Sequence, residues 1–426
     1  MKLSSLIGHV TELYSDVVDS AKPADRHIDL FFRSRKYLGS NDRRFIAETM
    51  YGMLRHRRRI EWIVSVLERE HDHLRQCAAY LLMNGAASAG QLSEEIDIPL
   101  EEIQEIEKRV LLDPKFDAPV TTLATVYSFQ DWMIEGWQKE FGDENLEPLC
   151  KVLNTQAPMT IRVNTIKTSR EECQRILSQE GLETDRAELS PFGLHLKRRT
   201  NLFQLQAFRD GFFEVQDEGS QLLSLLVDPK PGSKVVDACA GAGGKALAMA
   251  AVMKNRGEIF ALDVHSFRLE ELKKRIRRSG VDSIRTRVIR EGETQEGLVG
   301  AADYVLIDAP CSGTGTIRRN PGMKWSVTEQ MISELQQKQG SILSLNAQYV
   351  KPGGRLIYAT CSLMKRENEE VVERFMSEHP EFELIPPAAI LERYGLARLA
   401  NNKYFQLLPH RYNTDGFFAA IMKRKL

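Results

Sequence analysis

The sequence predicts a doubly wound, mostly parallel α/β sheet in its C-terminal part, preceded by a small α+β unit and an all-α domain. Three observations carry that prediction. From about residue 226 onward, short apolar runs alternate with helical stretches, and strands apolar on both faces belong to sheets covered by helices. Residues 119–225 mix short strands with a helix, and residues 1–118 show only the helical apolar period.

In the N-terminal part, Ile60, Ile63, Val64 and Leu67 follow the i, i+3, i+4, i+7 rule, and Asn84-Gly85 offers a stop after Leu81-Leu82-Met83. Ser93, Glu95 and Ile96 start another short helical piece that Pro99 interrupts. Asp113 to Pro119 holds two prolines and reads as a linker, so the first domain is expected to span 1–118. Next come a strand at Thr160–Asn164, a helix capped by Ser169, and a strand at Phe192–Lys197, within a unit expected at 119–225. The domain expected at 226–426 places strands at Val235–Asp237, Ile259–Asp263, Thr286–Ile289, Tyr304–Asp308 and Leu356–Thr360. Helices are expected over Ala246–Lys254, Ser266–Ser279 and Thr328–Val350.

Composition narrows the function classes. The chain has 426 residues, enough for about three domains on a prior of roughly 150 residues each. An apolar fraction of 42% and a charged fraction of 27% exclude a disordered chain or a fibre. No run of about 18 apolar residues occurs, and His9 comes too early for a signal-peptide core, so no membrane partner is expected. The six cysteines (77, 150, 173, 239, 311, 361) form no Cys-x-x-Cys pair. No metal site is therefore expected, and the setting is expected to be reducing and cytoplasmic, with the protein a monomer. Net charge is −1, yet nine basic residues between Arg33 and Arg59 face only Asp42 and Glu48, and eight between Lys273 and Arg290 face only Asp282. Such stretches suit a polyanion partner, and equally suit solvated helix faces.

Asp237-Ala238-Cys239-Ala240-Gly241-Ala242-Gly243-Gly244-Lys245 follows the first strand of the sheet and opens a helix. Glycines let backbone approach a ligand, and the helix N-terminus adds unpaired N–H groups. Asp263, at the end of the second strand, is placed to accept hydrogen bonds from ribose hydroxyls, so an adenosine-bearing ligand is expected. Gly241, Gly243 and Ala246 satisfy the dinucleotide pattern, while Cys239 and Ala246 break the P-loop pattern. From this turn alone S-adenosylmethionine and a dinucleotide both remain open.

Two cysteines separate them. Asp308-Ala309-Pro310-Cys311 follows the fourth strand and Thr360-Cys361-Ser362 the fifth, so two thiols and a carboxylate are expected at one sheet edge beside the glycine-rich turn. Methylation at C5 of a pyrimidine needs this set. C5 is a poor nucleophile until a thiolate adds at C6, a carboxylate can hold the N3/N4 edge, and a second thiol helps remove the C5 proton and release the first.

These residues sit in longer runs. Asp308 to Gly315, with Arg318-Arg319-Asn320-Pro321 and Lys324-Trp325, resembles motif IV and its trailing loop in the RNA cytosine-C5 methyltransferases. Pro352-Gly353-Gly354, Tyr358 to Ser362 and Glu367-Asn368-Glu369 resemble their motif VI, and Pro409-His410-Arg411 with Asp415 to Phe418 matches the last strands. Arg162 to Thr165 and Val215 to Ser220 are similar to the family's small RNA-binding subdomain. Asp42-Arg43-Arg44 and Tyr51 to Arg55 look like a NusB-type helical domain. Nearly the whole chain is covered, in the layout of the Sun-type 16S ribosomal RNA enzymes.

The resemblance implies a Rossmann-like fold, S-adenosyl-L-methionine as cofactor and RNA as partner, ribosomal or transfer. It implies Cys361 as the nucleophile, with Cys311 assisting release and Asp308 at the base. The cofactor would be held by Cys239, Ala240, Gly241, Ala242, Gly243, Gly244, Lys245, Asp263 and Asp308. The family usually has Pro where Ala242 stands and Thr where Ala246 stands. It places an Asp against adenine after the third strand, where this chain offers Arg290-Glu291-Gly292, so Glu291 is the candidate. The target base must be single-stranded or flipped. RNA is expected on Arg318 and Arg319, on the basic helices with Arg43, Arg44 and Arg55, and on Lys197–Arg199. Trp325 is expected either to stack on a base or to pack as core or lid, and His265 to be a helix-start residue. An RNA assembly factor with a silent methyltransferase domain is the alternative from another class.

Overall fold

The computed structural model describes residues 1–20, 24–68, 71–399 and 403–426. Two compact units form: residues 1–155 with 317–328, and residues 156–316 with 329–426.

The first unit is helical. Leu3–Val18, Ser40–Arg55, Arg57–Val64, His73–Met83 and Leu100–Val110 bury one apolar stripe each, Ile60, Ile63 and Val64 among them, into a shared core. Asn84 ends its helix and Gly85 takes a left-handed φ of 69°, matching the expected stop. Ser93 is not a helix start. The helix runs Ala89–Glu95, capped by Ser88, whose hydroxyl accepts from the Gln91 N–H while Gln91 returns a bond to the Ser88 N–H.

The unit extends past the expected boundary at 118. Pro119–Tyr127, Asp131–Phe141 and Asp143–Leu153 belong to it, and arginines of the basic stretch hold them there. Arg58 donates to the Phe129 carbonyl (2.8 Å) and to Asp131 (2.6 Å), and Arg59 to the Leu112 carbonyl (3.0 Å). Segment 317–328 is anchored by Lys324, which is fully buried. Its ammonium donates to the carbonyls of Arg55 (2.9 Å), Ser128 (3.0 Å) and Tyr127 (3.2 Å) and to Asn154 Oδ1 (2.5 Å), 3.7 Å from the Phe129 ring centroid. Burial and the Arg55 charge pull its pKa down. A neutral amine has only two N–H bonds for those four oxygens, so the cage selects the ammonium.

The second unit holds two sheets. A four-stranded antiparallel sheet is built from β1 (Thr160–Val163), β2 (Thr184–Arg186), β3 (Gly193–Leu196) and β4 (Phe213–Val215) in the order β2-β3-β1-β4. Ser169 caps the helix Arg170–Gln179 as expected. The larger sheet comprises β5 (Lys234–Asp237), β6 (Glu258–Asp263), β7 (Ile284–Val288), β8 (Ala302–Asp308), β9 (Val350–Thr360), β10 (Phe382–Ile385), β11 (Phe405–Leu407) and β12 (Phe417–Arg424). Its order is β10-β12-β9-β8-β5-β6-β7, with β11 on β12. The five strands from β5 to β9 are parallel, and β12 pairs antiparallel with its neighbours.

Period-two alternation divides the side chains between two cores. Val235, Ile259, Ala261, Leu306 and Ile357 enter one face with the helices Glu218–Val227, Gly244–Val252 and Ser266–Ser279. Val236, Phe260, Val305, Ile307 and Tyr358 enter the other with Glu329–Ala347 and Glu369–Glu378. The chain runs outward from β5 to β7 and returns to β8 on the other side of β5. The carboxyl ends of β5 and β8 therefore flank the crevice where such sheets bind ligands.

Candidate active site

A cavity of about 500 Å³ opens at that crevice. It is lined by the turn after β5, by Asp263 and Glu291 after β6 and β7, and by Asp308, Cys311 and Cys361 after β8 and β9. Gly241 (φ 54°) and Gly243 (φ 79°) supply the left-handed residues the turn needs, and a Cβ on Gly243 would stand 2.0 Å from Leu272 Cδ1. The Gly241 N–H donates to Asp263 Oδ2 (2.8 Å) and the His265 N–H to Asp263 Oδ1 (2.7 Å), while the Gly243 N–H goes to the Ala240 carbonyl (2.8 Å). His265 starts the helix Ser266–Ser279, as expected. At Ala242, where the resembling family carries Pro, the carbonyl is held by Arg275 (2.7 Å), itself paired with Glu214 (3.0 Å).

The charges decide the ligand class. Asp237, Asp263 and Asp308 all line the cavity. Asp237 is 1% exposed, and neither carboxylate oxygen takes a hydrogen bond, the Cys239 N–H lying close but outside bonding geometry. Burial, then the neighbouring Asp308 charge, pushes its pKa up to about 7. Three carboxylates, with Gly241 and Gly243 N–H groups already used, reject a pyrophosphate. They suit a ligand that brings positive charge, as a sulfonium amino acid does. Asp237 was missed as a site residue because an Asp at a buried strand end also reads as ordinary punctuation.

Lys245, read as a cofactor contact, points its ammonium at Asp308 Oδ2 (2.5 Å). Burial works to lower its pKa, but the Asp308 charge and hydrogen bond raise it above the ordinary value. Cys311 Sγ and Cys361 Sγ stand 3.4 Å apart. Their loops are stitched together by Ala309 N–H to the Ala359 carbonyl (2.8 Å) and Gly315 N–H to the Cys361 carbonyl (2.9 Å). Gly315 is required there, since a Cβ would lie 2.2 Å from the Gly416 carbonyl oxygen. Cys239 lines the same cavity, its thiol pushed up by burial and by Asp237. Glu291 reaches the rim and pairs with Lys338 (2.6 Å), which holds its carboxyl below the ordinary range.

The expected RNA contacts fare unevenly. Arg318 is 4% exposed and donates to Thr155 Oγ1 (3.0 Å), so it is a packing residue of the first unit and not a phosphate grip. Arg55 donates to the Arg318 carbonyl (3.2 Å) and Arg43 to the carbonyls of Leu38 (2.9 Å) and Arg35 (3.3 Å). Trp325 is half-buried; its indole N–H donates to the Leu54 carbonyl (2.7 Å) and the Arg57 guanidinium lies 5.6 Å over its ring, so it packs within the first unit. Arg44 and Arg319 are exposed. Among the described residues no group of three or more His, Cys, Asp or Glu can hold a metal, and no helix is long and apolar enough to cross a membrane.

Residues 224–423 match the family model of the 16S rRNA methyltransferases RsmB/F, and residues 129–202 that of the RsmF/B-like ferredoxin-like domain. A Bacillus subtilis protein described as a probable ribosomal RNA small subunit methyltransferase B is 36% identical over 73% of this chain and 70% of its own. A Synechocystis protein of the same description is 32% identical over 91% of this chain and 92% of its own. The crystal structure of PH0851 superposes with a TM-score of 0.78 at 28% identity, covering 100% of this chain and 99% of that one. A methyltransferase homolog from Pyrococcus horikoshii gives 0.62 at 27% identity over 72% of this chain and 100% of its own. With the charge pattern of the crevice, these likenesses make S-adenosyl-L-methionine the cofactor, and the chain belongs to the RsmB/F family of 16S rRNA methyltransferases.

Proposed function

We propose that this protein methylates C5 of a cytosine in RNA, small-subunit ribosomal RNA being the substrate its relatives' names point to. The observation that carries the reading is the 3.4 Å contact between Cys311 and Cys361 in the cavity that Asp263 and Asp237 also line. The turn residues 239–245 and Asp263 would hold the cofactor, Asp237 would offer negative charge to its sulfonium, and Glu291 would serve its adenine side. The cofactor supplies an electrophilic methyl group.

Cys361, as thiolate, adds to C6 of the ring, and the displaced electron pair makes C5 the nucleophile that takes the methyl group. Asp308, paired with the Lys245 ammonium, accepts from the exocyclic amine at the N3/N4 edge. In release the S–C6 bond breaks, the proton on Cys311 passes to the leaving sulfur, and the C5 proton passes to Cys311. The pair ends with one proton more than it began. Arg44, Arg319 and the Lys197–Arg199 edge are the exposed basic residues that the RNA reading keeps from the sequence set.

Incubation with total cellular RNA and labelled S-adenosylmethionine, followed by mapping of 5-methylcytosine, tests the proposal. Label in small-subunit ribosomal RNA at a cytosine supports it. Label in transfer RNA moves the same chemistry to another substrate. No label in any RNA, with cofactor binding intact, favours a silent assembly factor.

A further inference from the structure

One buried carboxylate has no part in that scheme. Glu367 is 0% exposed, in the single turn Lys365–Glu367 after β9, and four neutral donors converge on it. Oε1 accepts from the Ser312 N–H (2.8 Å) and the Gln339 amide (2.9 Å); Oε2 accepts from the hydroxyls of Ser312 (2.5 Å) and Ser362 (2.5 Å). Ser312 follows Cys311, and Ser362 follows Cys361. One carboxylate therefore ties together the two loops that carry the thiols.

The attachment is lopsided. Ser312 gives two bonds, and the Gln339 amide that binds Glu367 also holds the Pro310 carbonyl (2.9 Å). The Cys311 loop is thus wrapped from both sides by a carboxylate that itself belongs to the connection after Cys361, whose Ser362 hydroxyl supplies the remaining bond. Charge follows the same polarity. The anion is bonded to the residue after Cys311, and the Lys245 ammonium, which lines the thiol cavity, interacts with Cys361. Asp308 and Lys245 face the pair together with Asp237 and Cys239 at the β5 end. The Tyr358 phenol donates to the Glu367 carbonyl (2.6 Å). The contact with Cys361, burial and the Glu367 charge all raise the Cys311 thiol well above its ordinary value. A proton shared across the 3.4 Å sulfur contact settles on Cys311, whose thiolate the Glu367 charge opposes.

We propose that Glu367 is a positioning residue that assigns the two thiols their roles, keeping the shared proton on Cys311 and leaving the thiolate to Cys361. The inference rests on the reaction proposed above and identifies what sets its polarity. No redox partner or metal is needed, because the device consists of one fixed negative charge and the hydrogen bonds that aim it.

The test is alkylation of the free protein with sub-stoichiometric iodoacetamide from pH 5 to 10, the first-modified cysteine being mapped by mass spectrometry. In the wild type Cys361 reacts ahead of Cys311 by at least tenfold near neutral pH. Glu367→Gln removes the charge at nearly constant shape; the preference falls at least tenfold and the Cys311 profile moves to lower pH. Glu367→Asp keeps the charge and keeps the preference. An unchanged ratio in a Glu367→Gln protein that still binds cofactor overturns the proposal. Where that variant does not fold, the wild-type profile decides, and Cys311 reacting at the lower pH overturns it. The ratio is read without RNA, so absence of RNA methylation sinks the proposed function while leaving this measurement to stand or fall alone.

Discussion

Three glycines within four positions of the turn after β5 should answer the same substitution in three ways. Gly241 has φ 54° and open space where a Cβ would go. Alanine there costs only the left-handed backbone, about 1–2 kcal/mol. Gly243 has φ 79°, and its Cβ would meet Leu272 at 2.0, 2.8 and 2.9 Å, against the whole branched end of a side chain that is 0% exposed. To the same backbone term is added overpacking of a full core, about 1–3 kcal/mol, for a total of roughly 2–5 kcal/mol. Gly244 begins the helix, and its nearest neighbours stand at 3.7 and 3.9 Å. Alanine fits there and should be neutral or stabilise by up to about 1 kcal/mol through the unfolded chain. Urea unfolding of the three variants, beside calorimetric affinity for S-adenosylmethionine, reads the series. The order of stability expected is Gly244→Ala, then Gly241→Ala, then Gly243→Ala, with the last also losing cofactor affinity. Equal losses at 241 and 243 would refute the steric account of the turn.

Lys324→Met leaves four oxygens without their donor and should destabilise the first unit by about 3–5 kcal/mol, seen as a fall of roughly 6–20 °C in Tm; a Tm within about 2 °C of wild type contradicts the cage. The Glu218 hydrogen bond raises the His195 pKa against burial. Burial works against the Glu218 charge, yet His195 and the Ser190 and Leu189 N–H groups hold its pKa down. The His195 contribution is complete below about pH 6.5 and lost as pH rises through the folded value, while that of Glu218 is complete above about pH 4.5 and lost on acidification. Tm should therefore be higher at pH 6 than at pH 8, and His195→Gln should shrink the difference without abolishing it, because the raised pKa of Asp237 makes a loss of the same sign in that window; a difference unchanged in His195→Gln counts against it. If RNA is the partner, Arg44→Ala lowers the salt slope of RNA binding by about 0.7–0.9, whereas Arg318→Ala lowers Tm and leaves the slope alone. The opposite pattern in a filter-binding titration returns Arg318 to the RNA surface.

The sheet was legible because its strands obey local rules. Val235-Val236, Ile259 to Leu262 and Tyr304 to Ile307 are apolar at both parities, and each parity found its own core. The convergence of Cys311 and Cys361 was legible for a topological reason: parallel neighbours β8 and β9 end at the same edge. Tertiary partners were not legible. Arginines 55, 58 and 59 read as a polyanion patch but bond to carbonyls and two carboxylates of their own unit, since a sequence gives the charge and not the partner. The same ignorance put Arg318 on RNA and the first boundary at 118. The helical start at Ser93 is displaced because the helix that Ser88 caps is only seven residues long, too short to show a period. Glu367 was visible only as part of a motif; its four donors come from three separate segments of the chain.

The division of labour between the two sulfurs is most directly tested by denaturing gels of each cysteine variant after incubation with RNA and cofactor. Cys311→Ala, able to add but slow to release, is expected to carry a covalent RNA adduct through denaturation, and Cys361→Ala to carry none. An adduct held by Cys361→Ala, with Cys311→Ala free of RNA, would contradict the account and exchange the two roles.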